Sequence, residues 1–227
     1  MEADILPEDL ANQTIDTMRA YGATTIGVVA NVGRANPNGR AILGFISYGY
    51  ALQLLRLDRI EEYLLFLYAH GYHDHTPGSW TAGEVSGITG GTAIFCIPAQ
   101  QTIPLLTRWM LALEDNDANR LYLGKAVPRK WLADGKEIRI DHAPTRWGRV
   151  SFRMKGDLPQ KKVTASVTLA RPASGLELHV KLRTPQENKL VSATVNGKTA
   201  TIGGPHNDTV IAPAGAATQF EIVAQTA

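Results

Sequence analysis

VSFRMKGDLPQKKVTASVTL, residues 150–169, sets the fold of the second half of the chain. Val150, Phe152 and Met154 alternate with Ser151, Arg153 and Lys155. After a polar break holding Pro159, Val163, Ala165, Val167 and Leu169 repeat the pattern. A period of two places every second side chain on one face of a sheet. Towards the C-terminus, LELHVKL offers Leu176, Leu178, Val180 and Leu182, and LVSATV offers Val191, Ala193 and Val195. Asn196-Gly197 follows, a pair that accepts the positive φ angles of a tight hairpin. TATI, DTVI and QFEIV bring the expected total to about eight strands. Alternating strands at this spacing predict an antiparallel β-sandwich over residues 119–227.

Upstream of about residue 120 the apolar period is helical. Leu10, Ala11, Ile15 and Met18 form a first amphipathic segment, opened by Pro7 and followed by Gly22. Ile42, Phe45, Ile46, Gly49 and Tyr50 predict a second helix running to about Leu57. Ile60, Tyr63, Leu64, Leu67 and Tyr68 predict a third, ending at Gly71. A fourth is expected from about Thr92 to Leu113, irregular or kinked because Pro98 and Pro104 fall inside it. Residues 1–118 are therefore expected to be helical. Several of these helices carry apolar residues on more than one face, which calls for packing partners on both sides. The connections at 22–39 and 71–91 are too long for a simple bundle, and loops of that length are more often functional.

Charge and composition narrow the partners. The 227 residues hold 23 basic and 21 acidic side chains, a formal net charge of +2 with both signs interspersed. No basic stripe marks a nucleic-acid partner, and no apolar run reaches a membrane span. Cys96, the single cysteine, excludes an internal disulfide and any cysteine-rich zinc site. Within AIFCIP it is expected to be a buried, inert thiol. The N-terminal residues lack the layout of a signal peptide.

Candidate chemistry concentrates in HGYHDHTPGSWTAGE, residues 70–84. His73 and His75 on a loop can share one ion, with Asp74 or His70 as a third ligand. A sugar-binding reading uses more of the stretch. Apolar faces of sugar rings stack on aromatic planes such as Trp80. Their hydroxyl rims need the donors and acceptors of Tyr72, His73, Asp74, His75 and Thr81. A plain polar turn is the third reading, with Glu84 an exposed charge. From the residues alone the sugar site and the plain polar turn stand level, and no metal and no cofactor is expected.

The order of features resembles the C-terminal end of six-hairpin glycosidases, the (α/α)6-barrel enzymes typified by α-L-rhamnosidases. GRAILGFISYGYALQLLRLDRIEEYLLFLYAHGY is similar to a penultimate helical hairpin, and SWTAGEV to the family's Trp/Glu loop. IPAQQTIPLLTRWMLALED resembles the closing helix. LYLGKAVPRKWLADGKEIRIDHAPTRWGRVSFRMKG resembles the crossing into a terminal sandwich. SWTAGEV is not the rhamnosidase form of the loop, so sugar specificity does not carry over.

The resemblance implies a partial α/α-barrel at 1–118, with Glu84 as the general base of an inverting hydrolase. His73, Asp74, His75 and Trp80 would line the sugar cleft. Inverting chemistry needs a second carboxyl about 6.5–9.5 Å away, which such enzymes bring from an earlier hairpin. The chain is thus expected to be the catalytically incomplete C-terminal part of an extracytoplasmic glycoside hydrolase. The missing hairpins, or a second copy, would cover its open helical faces. The alternative is a non-catalytic carbohydrate-binding or scaffold module whose sandwich binds sugar through Trp131 and Trp147. Packing at the core or domain junction is the preferred reading of both tryptophans.

Overall fold

The structure is a computed structural model that describes residues 6–30, 41–86, 95–115, 117–187 and 189–227. Its contacts divide it into two compact units, Met1–Arg108 and Trp109–Ala227.

The first unit contains α1 (Glu8–Ala20), β1 (Thr24–Thr25), β2 (Val28–Val29), β3 (Ile42–Leu43), α2 (Tyr48–Arg56), α3 (Ile60–His73), β4 (Val85–Ser86) and the start of α4 (Ile97–Leu111). Pro7 precedes α1 and Gly22 follows it with φ of +76°, as the sequence predicts. Arg59 joins α1 to α3, its guanidinium 2.7 Å from Asp16 and 2.8 Å from Glu62. The Tyr63 hydroxyl donates to the Leu106 carbonyl at 2.6 Å, tying α3 to α4.

Several helix limits differ from expectation. The helix expected from Ile42 begins only at Tyr48, because Ile42 and Leu43 pair antiparallel with Ser86 and Val85. The pairing continues one step as Gly44 N–H donates to the Glu84 carbonyl at 2.9 Å. Two-residue strands therefore stand in a half expected to hold only helices and long loops, β3 within an expected helix and β1, β2 and β4 within the expected loops. Pro98 lies in the first turn of α4, where its missing N–H costs nothing, and Pro104 lies inside the helix. The helix stops at Leu111 rather than Leu113, since Ala112–Asp115 is already a strand. Residues 92–94 fall outside the described ones. Tyr68 is exposed rather than part of the core face of α3, which comprises Ile60, Tyr63, Phe66, Leu67 and His70.

The second unit holds β5 (Ala112–Asp115), β6 (Arg120–Leu123), a 3₁₀ turn (Arg129–Leu132), β7 (Glu137–Thr145), β8 (Gly148–Asp157), β9 (Lys162–Leu169), β10 (Glu177–Lys181), β11 (Leu190–Val195), β12 (Lys198–Thr199), β13 (Thr201–Gly203), β14 (Thr209–Pro213) and β15 (Gln219–Thr226). A five-stranded sheet runs β13-β14-β10-β6-β5 and a six-stranded sheet runs β12-β11-β15-β9-β8-β7. Both contribute to one buried core, with Leu121, Leu178, Val180 and Val210 from the first and Phe152, Met154, Val167 and Phe220 from the second. The layout is helical first and a mostly antiparallel sandwich second. Among the described strand pairs one departs from the antiparallel expectation: β6 and β10 run parallel, Leu121 opposite Leu178.

Burial of Val150, Phe152 and Met154 on β8, and of Val163, Ala165, Val167 and Leu169 on β9, follows the sequence alternation. Val191 does not. A bulge between Leu190 and Ser192 leaves it opposite no partner, and it points to solvent while Leu190 and Ala193 face the core. One inserted residue moves a side chain to the other face. Asn196 and Gly197 take φ of +50° and +76° between β11 and β12, the predicted turn.

Candidate functional site

The end of α3 and the loop after it build the site. His70 lies in the last turn of α3, His73 closes it, and Asp74 caps it, its N–H donating to the His70 carbonyl at 3.0 Å. His75 bridges to Ala82, and between them Thr76 N–H donates to the Thr81 carbonyl at 2.7 Å and Trp80 N–H to the Thr76 carbonyl at 3.0 Å. The segment expected to be an open loop is thus a small closed turn over residues 75–82. Its tip uses Gly78 at φ +86°. Trp80 also has a positive φ, +57°. That conformation is unfavourable for a bulky residue and is held only where surrounding contacts enforce it. Gln100 supplies one such contact, donating to the Trp80 carbonyl at 3.2 Å.

A file of rings leads inward from Trp80. Its indole lies 4.8 Å from the His75 ring, His75 lies 5.6 Å from His70, His70 5.5 Å from Phe66, and Phe66 5.9 Å from Tyr50. Trp80 is 49% exposed, whereas His70, Asp74 and His75 are 0%, 5% and 4% exposed.

Polar contacts around the buried trio are one-sided. His70 Nε2 lies 3.1 Å from the Gly44 carbonyl oxygen, which also accepts from Thr102 Oγ1 at 3.1 Å. Asp74 Oδ1 accepts a hydrogen bond from Ser86 Oγ. Asp74 Oδ2 is 3.8 Å from His70 Nε2. Burial pushes the His70 pKa below its ordinary value, opposed by the Asp74 charge and the Gly44 carbonyl. The ring is therefore neutral at pH 7, and the Gly44 bond assigns its proton to Nε2. His70 Nδ1, Asp74 Oδ2 and both ring nitrogens of His75 are buried with no hydrogen-bond partner. Each such group costs roughly 1–3 kcal/mol when left unsatisfied.

Gly44 is the floor of this arrangement. A Cβ there would stand 2.4 Å from the Gly83 carbonyl oxygen and 2.7 Å from Asp74 Oδ2. Only glycine lets the β3 backbone pass this close.

Of the sequence-predicted site residues, the structure brings together Asp74, His75 and Trp80. His73 is left out: it is exposed, its ring edge-on to Tyr72 at 4.9 Å. Glu84 is also exposed, held by its backbone to Gly44 and outside the buried trio. Cys96 is half-buried rather than buried, with its N–H donating to the Ala82 carbonyl at 3.0 Å. His70 was legible only as an extra ligand, although its i,i+4 spacing from Asp74 puts both on one helix face. Gly44 and Ser86 carry no sequence signal, because long-range backbone pairing brings them here.

No family model and no curated protein matches the chain. Solved structures show a distant likeness. A protein titled glycoside hydrolase aligns with 79% of this chain and 31% of its own length, at 11% identity and a TM-score of 0.40. A GH127 β-arabinofuranosidase aligns with 82% of this chain and 33% of its own, at 7% identity and a TM-score of 0.35. An uncharacterised protein of Listeria monocytogenes EGD-e aligns over 47% of this chain and 10% of its own, at 13% identity and a TM-score of 0.30. The chain spans a third or less of these proteins. Likeness at this level carries no statement about activity.

Proposed function

We propose that the chain is a carbohydrate-binding, glycosidase-related module whose helical part forms one wall of a sugar cleft. The observation that carries this reading is Trp80. A large aromatic is kept half-exposed at a costly φ, one neighbour being the buried ring of His75. A strained backbone at an exposed aromatic supports a functional reading of that residue. A flat apolar surface beside polar side chains matches the two faces of a pyranose or furanose ring. Tyr72, Thr81 and His73 supply polar groups on the same turn and helix end.

The finer reading is a partial α/α-barrel over residues 1–118 followed by the sandwich over 119–227, with Glu84 as the base of an inverting hydrolase. Exposure suits that role, since a base must stay ionised in water near neutral pH. Among the described residues, eleven of the thirteen exposed large hydrophobic side chains lie in the first unit, Leu65, Tyr68 and Tyr72 along one stripe of α3. Missing hairpins would cover that stripe and bring the acid.

The binding-module alternative is favoured less. Trp147 packs against the sandwich core with Arg146 over its ring at 4.3 Å, which leaves little face for a sugar. Affinity electrophoresis through polysaccharide gels separates the two. Retardation lost in Trp80→Ala supports the cleft wall, and retardation lost only in Trp131→Ala or Trp147→Ala supports the sandwich.

A further inference from the structure

We propose that His70, Asp74 and His75 form a binding site for one divalent transition-metal ion, zinc by preference, that fastens the Trp80 turn to the end of α3. One ligand atom from each residue lies within 4.8 Å of those of the other two, and all three side chains are buried. Tetrahedral zinc with bonds of about 2.0–2.1 Å needs donors roughly 3.4 Å apart. The widest separation must close by about 1.4 Å, within reach of χ rotations on a six-residue stretch.

The surroundings match an outer shell. A ligating histidine keeps its ring orientation by donating its other N–H to a carbonyl, and a ligating carboxylate is itself hydrogen-bonded. Here His70 is held by the Gly44 carbonyl and Asp74 by Ser86, each through one atom. The second polar atom of each is unpartnered, as are both nitrogens of His75. Hydrogen bonds within the protein satisfy two of the trio's six polar atoms, and an ion taking one atom from each residue would satisfy three of the remaining four. Two imidazoles and a carboxylate suit zinc, with manganese and iron as weaker competitors. Three protein ligands leave a fourth position for water.

The site also explains why the Trp80 turn has one shape. His75 is both a ligand and a ring neighbour of Trp80, so the ion fixes the indole through one intervening ring. The site does not depend on whether Trp80 binds sugar.

The test uses the tag-free 227-residue chain, stripped with chelator and titrated with Zn(II) by calorimetry, with Co(II) as a spectroscopic probe. One ion per chain is expected, with a tetrahedral cobalt absorption spectrum and a rise in melting temperature. Asp74→Asn and His75→Gln should each weaken binding by at least about tenfold, and Ser86→Ala by about 10–100-fold, the usual outer-shell effect. His73→Ala should leave it unchanged. His75→Cys keeps a donor in place and should add a thiolate-to-cobalt charge-transfer band, which reads the site even if the glutamine variant fails to fold. No stoichiometric binding by the wild-type chain overturns the proposal. So does binding that survives both ligand substitutions, binding abolished by His73→Ala, or a cysteine variant without the new band.

Discussion

Trp80 and His75 stand ring to ring at 4.8 Å, one half-exposed and the other buried. Through this contact an exposed side chain is mechanically continuous with the core, by way of His70, Phe66 and Tyr50. A surface aromatic anchored in this way loses little entropy when a ligand stacks on it, which is how pre-organisation raises affinity.

Removing the inner partner should therefore disturb the outer one. In His75→Ala the Trp80 emission is expected to shift towards that of a solvent-exposed indole, and acrylamide should quench it more strongly. Fluorescence compared with a Trp109, Trp131 and Trp147 triple-phenylalanine background isolates the signal. Unchanged emission would mean that the ring contact does not hold the indole.

Gly44→Ala tests the floor of the site. The added methyl would meet the Gly83 carbonyl oxygen at 2.4 Å and Asp74 Oδ2 at 2.7 Å, and the backbone carbonyl cannot move aside cheaply. Overpacking of this kind costs about 1–3 kcal/mol, so thermal or urea unfolding of the first unit should shift by that amount. A neutral effect would show that the β3–β4 pairing yields.

The contrast between readable and unreadable parts is physical. Val150 to Leu169 declared its strands because a half-buried sheet imposes a period of two on neighbours in sequence. Val191 broke the same rule through a bulge, a backbone event with no compositional mark. Ile42 carried a helical pattern, yet pairing with Ser86 decided its state, an override of local pattern by long-range contact. The site behaves alike. The crowding of His70, His73, Asp74, His75 and Trp80 was visible, but which of them face inward depends on where α3 ends and on Gly44, 26 residues from His70. His73 and His75 look equivalent in sequence and differ wholly in burial.

The sandwich offers a pH test. Burial lowers the His179 pKa below its ordinary value, while the hydrogen bond its ring donates to Glu177 and the Glu177 charge work in the opposite direction. A histidine with a depressed folded pKa binds its proton more readily when unfolded. Its contribution to stability is complete above the unfolded value of about 6.5 and is lost as pH falls below that. The melting temperature of the wild-type chain should drop more between pH 7 and pH 5 than that of His179→Gln. An equal drop would show that His179 titrates alike in both states.

Glu84→Gln bears on the hydrolytic reading. In a complete enzyme the amide keeps the shape of the base but cannot accept the proton of water, so the rate should fall on the order of 10²–10⁴-fold. Affinity for intact sugar should hold. A rate within a few-fold of wild type, measured by reducing-end release, would remove Glu84 from the chemistry.

The most direct measurement is affinity electrophoresis of the wild-type chain and its Trp80→Ala variant through gels containing neutral and acidic plant polysaccharides. Retardation of the wild type by at least one polysaccharide is expected, lost in Trp80→Ala while circular dichroism and melting temperature stay the same and Trp131→Ala migrates as wild type. A wild-type chain retarded by none of the gels, or a Trp80→Ala variant retarded as strongly as wild type, would contradict the assignment of the Trp80 turn as a sugar-binding wall.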